Sequence, residues 1–292
     1  MKNLRRLANK TLAIIETRDL TYTYPGATKP SITELSLTIN KGDFVILTGP
    51  SGCGKTTLCR CFNGLIPHFY NGTMEGTLEV AGLNVVDHKI PELARHVGLV
   101  FQNPENQLFA LSVEKDVAFG LENFAMPRDE MKQRVGWALQ MAGITELSDR
   151  PPHELSGGQQ QRVAIASVLA MQPDIMILDE PTSFLDPVGA QKIFEVINEL
   201  NKKLGITLIL VEHRLDLAAK YANKVIVMND GKVALSGTPR EIFTSEEARL
   251  IGVGIPKATR LYQHLKQHGL SLKTAPVTTE ETAGLLREVL KQ

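Results

Sequence analysis

The chain of 292 residues carries no excess of either charge: Lys+Arg and Asp+Glu each number 32. Nucleic-acid binding calls for a basic surplus, so this balance leaves no general electrostatic footprint for DNA or RNA. Cysteine is scarce, at three residues, which excludes a disulfide framework. Cys53 lies in a glycine-rich loop, and Cys59 and Cys61 stand two apart on the helix expected after it, on different faces. No second Cys/His cluster completes a zinc site, so buried free thiols in a reducing compartment are expected. No apolar run reaches the ~18 residues of a membrane span. The start, 1–15, has Lys2, Arg5 and Arg6 before a weakly apolar stretch that Lys10 interrupts, with no small-residue cleavage site. A secretory signal is therefore not expected, and the chain is expected to stay on the cytoplasmic side. Sustained heptads, internal repeats and low-complexity tracts are missing too, which excludes long coiled coils and solenoids.

What is present is ordinary globular material, 43% hydrophobic and 22% charged. The length suffices for a substantial core in one large or two modest domains. Residues 13–24 and 35–39 alternate apolar and polar and read as strands, with Pro25-Gly26 turning the first. Asn40 to Asp43 form a turn, 44–48 an apolar strand, and 77–80 a further strand turned by Ala81-Gly82. This first part predicts an antiparallel sheet leaning on a nucleotide core. From about 104 to 171 the pattern is helical, clearest over 128–141 and 162–171. Then 175–178, 207–211 and 225–228 are short continuous apolar runs between helical stretches, as buried parallel strands of an α/β sheet require. Asp230-Gly231 predicts a hairpin into 232–235, and a mostly helical tail follows Thr238.

Gly49-Pro50-Ser51-Gly52-Cys53-Gly54-Lys55-Thr56 fits a phosphate loop between a strand and a helix, with Thr57 next on that helix. Its glycines let successive N–H groups point inward, and the helix start adds partial positive charge. Lys55 is expected to reach the β- and γ-phosphates and the Thr56 hydroxyl to bind Mg²⁺. The strand 175–178 ends in Asp179 and Glu180: the first is placed to hold Mg²⁺ through water, the second to polarise an attacking water as general base. His213 and Gln102 each follow a strand, at the edge where open α/β sheets bind ligands. His213 is expected to contact the γ-phosphate and Gln102 to sense Mg²⁺ or water. Leu155-Ser156-Gly157-Gly158-Gln159 opens a second helix with a hydroxyl and exposed N–H groups, a second anion cradle. A first loop that already surrounds the phosphates leaves no room for the second on the same molecule. Each chain is thus expected to offer its second loop to a partner's nucleotide, as a dimer.

In this order these elements resemble the ATPase subunit of ATP-binding-cassette (ABC) transporters, over about 14–237. The resemblance implies an α/β P-loop cassette: a mainly parallel sheet core with an antiparallel subdomain, a helical subdomain at about 104–171, and a small helical C-terminal extension. The implied division is a leader (1–12), the nucleotide-binding domain (13–237) and an extension for dimer contacts (238–292). Walker A falls on Gly49–Thr56, the Q-loop on Gln102, the signature on Leu155–Gln159 and Walker B on 175–179. Glu180 becomes the catalytic acid, Ser183-Phe184-Leu185-Asp186 the D-loop and His213 the switch histidine. Tyr24 matches the aromatic that stacks on adenine. ATP and Mg²⁺ are the implied ligands, with Thr56, Gln102 and Asp179 toward the metal. Phe184 departs from the pattern, where many relatives have a small residue.

Phe101-Gln102-Asn103-Pro104-Glu105-Asn106-Gln107-Leu108-Phe109, the stretch from Val113 to Gly120, and Asn63-Gly64-Leu65-Ile66-Pro67-His68-Phe69-Tyr70 resemble the energy-coupling-factor (ECF) ATPases. Those drive vitamin and transition-metal uptake. The resemblance implies a second ATPase subunit, identical or paralogous, and a transmembrane coupling protein that holds a substrate-capturing membrane protein. It places the chain at the cytoplasmic face of the membrane, with no nucleic-acid partner. An importer with a separate receptor and a soluble ABC ATPase acting on nucleic acid or ribosomes are the alternatives. Leu108, Phe109, Leu111, Val113 and Val117 are expected to divide between the helical core and a groove for membrane partners.

Overall fold

The computed structural model describes residues 13–270 and 272–290; the expected leader lies outside the described residues. Its strands, in chain order, are β1 (Ala13–Thr23), β2 (Ile32–Asn40), β3 (Phe44–Thr48), β4 (Thr73–Val80) and β5 (Leu83–Asn84), then β6 (Val97–Val100), β7 (Ile175–Asp179), β8 (Thr207–Val211), β9 (Lys224–Asn229) and β10 (Lys232–Gly237). Two sheets result. One is antiparallel in the order β2-β1-β4-β5; the other runs β10-β9-β3-β8-β7-β6, parallel throughout except for the β9–β10 hairpin. Asp230 and Gly231 both take positive φ at that hairpin, 47° and 77°, the paired left-handed geometry of its two-residue turn.

The continuous apolar strands are explained by burial on two sides. Phe44, Ile46, Met176, Leu178, Leu208 and Leu210 enter one core, while Val45, Leu47, Ile175, Ile177, Ile209 and Val211 enter another shared with the antiparallel sheet. Each strand thus feeds alternate side chains to two cores, and neither face tolerates polarity. Helix α1 (Lys55–Phe62) sits in the second core. Cys53, Cys59 and Cys61 are all buried there, so the two helical faces that carry cysteine are both covered, and burial pushes the Cys59 thiol well up.

A third core gathers α2 (Val113–Asn123), α3 (Arg128–Met141) and α4 (Gly157–Ala170). Helix α4 belongs to both neighbours: Val163, Ala166 and Ala170 face this helical cluster, while Ala164, Ile165, Val168 and Leu169 face the sheet. From Val163 to Ala170 the helix is apolar apart from Ser167, and this half is the shared wall between lobe and sheet.

The longest helix among the described residues is α5 (Pro187–Leu204). Its signals are plain once located: Asp186 caps it by accepting from the Gly189 N–H at 2.6 Å, Pro187 opens it, and Gly205 closes it at φ 68°. Ala190, Ile193, Phe194, Ile197 and Leu200 line its buried face. After β10 come α6 (Pro239–Thr244), α7 (Glu246–Ile251), α8 (Lys257–Gln267) and α9 (Thr279–Leu290). Ile242, Phe243, Ala248, Val253 and Val277 from this tail join the core under the sheet, and Arg240 pairs with Glu281 at 3.0 Å.

Candidate active site

The phosphate loop is shaped from inside. A Cβ on Gly49 (φ 142°) would meet the Met228 carbonyl oxygen at 2.1 Å, and one on Gly54 (φ 104°) the Ser31 carbonyl oxygen at 2.6 Å. Those two glycines let the loop press against its own fold. Gly52 differs: at φ 78° it has nothing within 4 Å of an added Cβ, so backbone there faces open space. Gly54 ends the loop as the cap of α1 with no side-chain hydrogen bond, and the first turn carries no acid, leaving the helix start available to an anion. Lys55 lies 7% exposed, its ammonium donating to the Gly49 and Pro50 carbonyls, both at 2.9 Å. The charge is held in the curve of 49–54, where Ser51 and Cys53 complete the loop.

Next to the loop, Tyr24 stands 3.3 Å from the Thr57 hydroxyl and accepts from Arg60 at 3.3 Å. Its ring packs edge-on against Tyr22 and Tyr70, with the Arg60 guanidinium over Tyr70 at 4.5 Å. Nothing in the spacing of Arg60 and Tyr70 points to Tyr24: Arg60 comes from the last turn of α1 and Tyr70 from the connection between α1 and β4.

Three adjacent parallel strands deliver the remaining groups to one edge. Gln102 follows β6, Asp179 and Glu180 end β7, and His213 follows β8. The Thr56 hydroxyl donates to Asp179 Oδ2 at 3.2 Å, and burial raises the Asp179 carboxyl above its usual range, with Thr56 opposing and Glu180 adding to the shift. Glu180 is the hub. Its Oε2 accepts from Gln102 Nε2 and from the Ser183 hydroxyl, both at 2.8 Å, and its Oε1 lies 3.2 Å from His213 Nε2. The residue adopts φ 48°, a left-handed conformation uncommon for Glu, pinned by its N–H to the Val211 carbonyl at 2.9 Å. Gln102 thus reaches Glu180 rather than the Thr56–Asp179 pair. Ser183, placed by the sequence only within a loop, joins the carboxylate directly.

The second cradle is elsewhere. Ser156 caps α4 in a reciprocal box with Gln159: the Gln159 N–H donates to the Ser156 hydroxyl at 3.4 Å, and the Ser156 N–H to Gln159 Oε1 at 2.9 Å. Ser156 and Gly157 are exposed, and Gly158 and Gln159 half-buried. With Phe184, Leu185 and Asp186 they line a cavity of about 310 Å³ that holds none of residues 49–57. The two cradles therefore do not meet within the chain.

The stretch after Gln102 divides. Val113 and Val117 are buried in the helical core and Leu108 partly so, whereas Phe109 is 65% and Leu111 80% exposed. Phe119 extends this apolar surface, meeting Phe109 edge-to-face at 4.6 Å, and Phe101, beside Gln102 in the chain, is also exposed. Asp116, within the 113–120 run, shapes that surface: its buried carboxylate accepts from the Phe109 and Ala110 N–H groups at 3.2 and 3.1 Å, and burial raises its pKa against those bonds.

Residues 32–183 match the ABC transporter family model. The chain belongs to the ABC transporter ATPase family. Among its relatives, the ECF transporter ATP-binding protein EcfA1 of Bacillus licheniformis is 42% identical over 94% of this chain and 96% of its own length. An ABC transporter ATP-binding protein of Methanosarcina mazei is 43% identical over 95% of this chain, which spans about half (47%) of that relative. The solved cbiO1 of Clostridium perfringens, part of the cbiONQ transporter complex, is 37% identical with TM-score 0.74 over 88% of this chain and 99% of its own. A dimeric cassette bound to ADP and Pi is 30% identical with TM-score 0.67 over 77% of this chain and 98% of its own. The two-sheet architecture is accordingly the ABC cassette fold. In this cassette, the family match takes in the phosphate loop, Gln102, Ser156–Gln159, Asp179 and Glu180, while His213 lies beyond it.

Proposed function

We propose that this ABC ATPase hydrolyses ATP to power a membrane importer of the energy-coupling-factor type, for a vitamin or a transition metal. The observation that carries the reading is Glu180, whose carboxylate is bound by Gln102, Ser183 and His213 beside the Thr56–Asp179 pair. Residues 49–57 bind the nucleotide, with Lys55 toward the phosphates and Tyr24 against the base. The oxygen donors Thr56 and Asp179 suit Mg²⁺, a hard cation, which neutralises phosphate charge when bound. Glu180 takes the proton of the attacking water, His213 orients it and Gln102 reports the state of that carboxylate to the surface behind it.

Two chains, identical or paralogous, work head to tail, each lending Ser156, Gly157, Gly158 and Gln159 to the other's nucleotide. The cradles' separation within one chain supports that pairing. The apolar surface of Phe101, Phe109, Leu111 and Phe119, adjoining Gln102, supports a transmembrane coupling protein as partner rather than nucleic acid, and with it a place at the cytoplasmic face of the membrane. The EcfA1 and cbiO1 likenesses favour the ECF class over a receptor-dependent importer.

The deciding experiment is Glu180→Gln. The variant is expected to bind ATP, stay dimeric and lose turnover by about 10²- to 10⁴-fold, the usual contribution of a positioned base. Undiminished turnover rejects the general-base role.

A further inference from the structure

We propose that Glu212 is a positioning residue: its carboxylate fastens the His213 turn to Thr182, and so sets the spacing of His213 and Glu180. The inference rests on the hydrolytic roles proposed above for those two residues.

Glu212 is 2% exposed and Thr182 0%. One carboxylate oxygen, Oε2, accepts the Thr182 hydroxyl at 2.6 Å. The other, Oε1, accepts the backbone N–H groups of His213 and Arg214, each at 2.9 Å. Among the described residues no Lys or Arg forms an ion pair with it. A buried carboxylate needs compensating hydrogen bonds, and here three supply them, so that each oxygen has at least one. It sits directly after β8, whose five residues are all buried and all apolar or Thr. At such a place an apolar side chain would pack without any desolvation penalty.

The position explains the choice. Strands β7 and β8 pair as far as Asp179 and Val211, and the last main-chain link is the Glu180 N–H to the Val211 carbonyl. Beyond it the two loops leave the sheet with no backbone ladder between them. Glu212 replaces that ladder. It holds the backbone of His213 and Arg214 with one oxygen and the loop after Glu180 with the other, beneath the 3.2 Å contact of His213 Nε2 with Glu180 Oε1. Thr182 begins the run to Phe184 and Asp186, which line the cavity beside Ser156–Gln159. A shift of the histidine turn is therefore passed through Glu212 to the segment that faces the signature residues.

The test is steady-state ATP hydrolysis by the full chain carrying Glu212→Gln, Thr182→Val, Thr182→Ser, or Glu212→Gln with Thr182→Val, beside Glu180→Gln. Removing the donor in Thr182→Val, or the charge of the acceptor in Glu212→Gln, predicts kcat about ten-fold lower for each, at an unchanged KM for ATP. Thr182→Ser keeps the hydroxyl and is expected to recover most of the rate. The double variant is expected to be no worse than Thr182→Val, because both changes act on the same link. Wild-type kcat in folded Glu212→Gln, or Thr182→Ser as impaired as Thr182→Val, overturns the proposal. If Glu212→Gln does not fold, the Thr182 pair decides alone. Full turnover by Glu180→Gln sinks the general-base role on which this inference rests, whereas an inactive Glu180→Gln beside a fully active Glu212→Gln sinks only the role given to Glu212.

Discussion

The phosphate loop and the signature turn use the same chemistry, glycine backbone at a helix start, yet they are finished differently. At 49–54 the loop folds back on itself: Gly49 and Gly54 press on neighbouring carbonyls, and Lys55 is drawn inside by two more. At Ser156–Gln159 the side-chain hydrogen bonds among the described residues stay within the turn, and its outer side is open beside Phe184 and Asp186. One cradle is complete in a single chain. The other has its surface turned outward, as the proposed head-to-tail pairing requires. Enclosure, rather than glycine content, distinguishes the two.

The comparison breaks most sharply under complementation. In a homodimer, Lys55→Ala and Ser156→Arg are each expected to abolish hydrolysis, and mixing the two to restore it. A head-to-tail heterodimer then contains one site with both cradles intact. No recovery on mixing would place both cradles on one nucleotide within one chain, or show that one site cannot turn over alone; cross-linking the mixed dimer separates the two outcomes.

Within the phosphate loop, enclosure should appear as stability. Gly49→Ala forces a Cβ against the Met228 carbonyl and is expected to cost about 3 kcal/mol or more. Gly52→Ala meets open space and pays only for its left-handed φ, about 1 kcal/mol. Denaturant midpoints for the two variants check the order, and equal losses would mean the loop is not braced by β9.

The outward surfaces should be silent toward folding. Phe109→Ser with Leu111→Ser is expected to leave hydrolysis by the isolated chain within about two-fold, since exposed substitutions rarely exceed ±0.5 kcal/mol. Copurification of membrane protein is expected to be lost. Val117→Asn, in contrast, should unfold the helical lobe. Retained membrane binding by the double variant would move the partner surface away from the Gln102 edge.

The smallest effect is at Asp116. Its folded pKa is raised, so its contribution to stability is fully present below the unfolded value near 3.8 and is lost as pH rises through the raised one. The melting temperature of wild type relative to Asp116→Asn should therefore be most favourable at the acid end and decline across that window. A difference that grows with pH would show that the Phe109 and Ala110 amides outweigh burial.

Sequence pattern sufficed wherever the physics is local. A phosphate loop needs its glycines, lysine and threonine at set spacing between a strand and a helix, and 44–56 state this outright. Strands buried on both faces read as continuous apolar runs, so β3, β7, β8 and β9 could be placed, and a two-residue Asp-Gly turn specified the β10 hairpin. The places of Asp179, Glu180 and His213 at the ends of strands could be read in the same way. Helix α5 was less legible, because its buried face is spread over five turns among polar residues and its caps make sense only once β7 ends at Asp179. Contacts between residues distant in sequence were not legible at all. That Ser183 and Gln102 share one oxygen of Glu180, that Arg60 and Tyr70 gather at Tyr24, and that Glu212 reaches Thr182 depends on strand order β8-β7-β6 and on where each loop leaves the sheet. Local spacing determined which groups this protein carries. Tertiary structure alone decided which of them touch, because hydrogen bonds over 30 to 80 residues of chain are set by sheet order and burial, to which no local pattern has access.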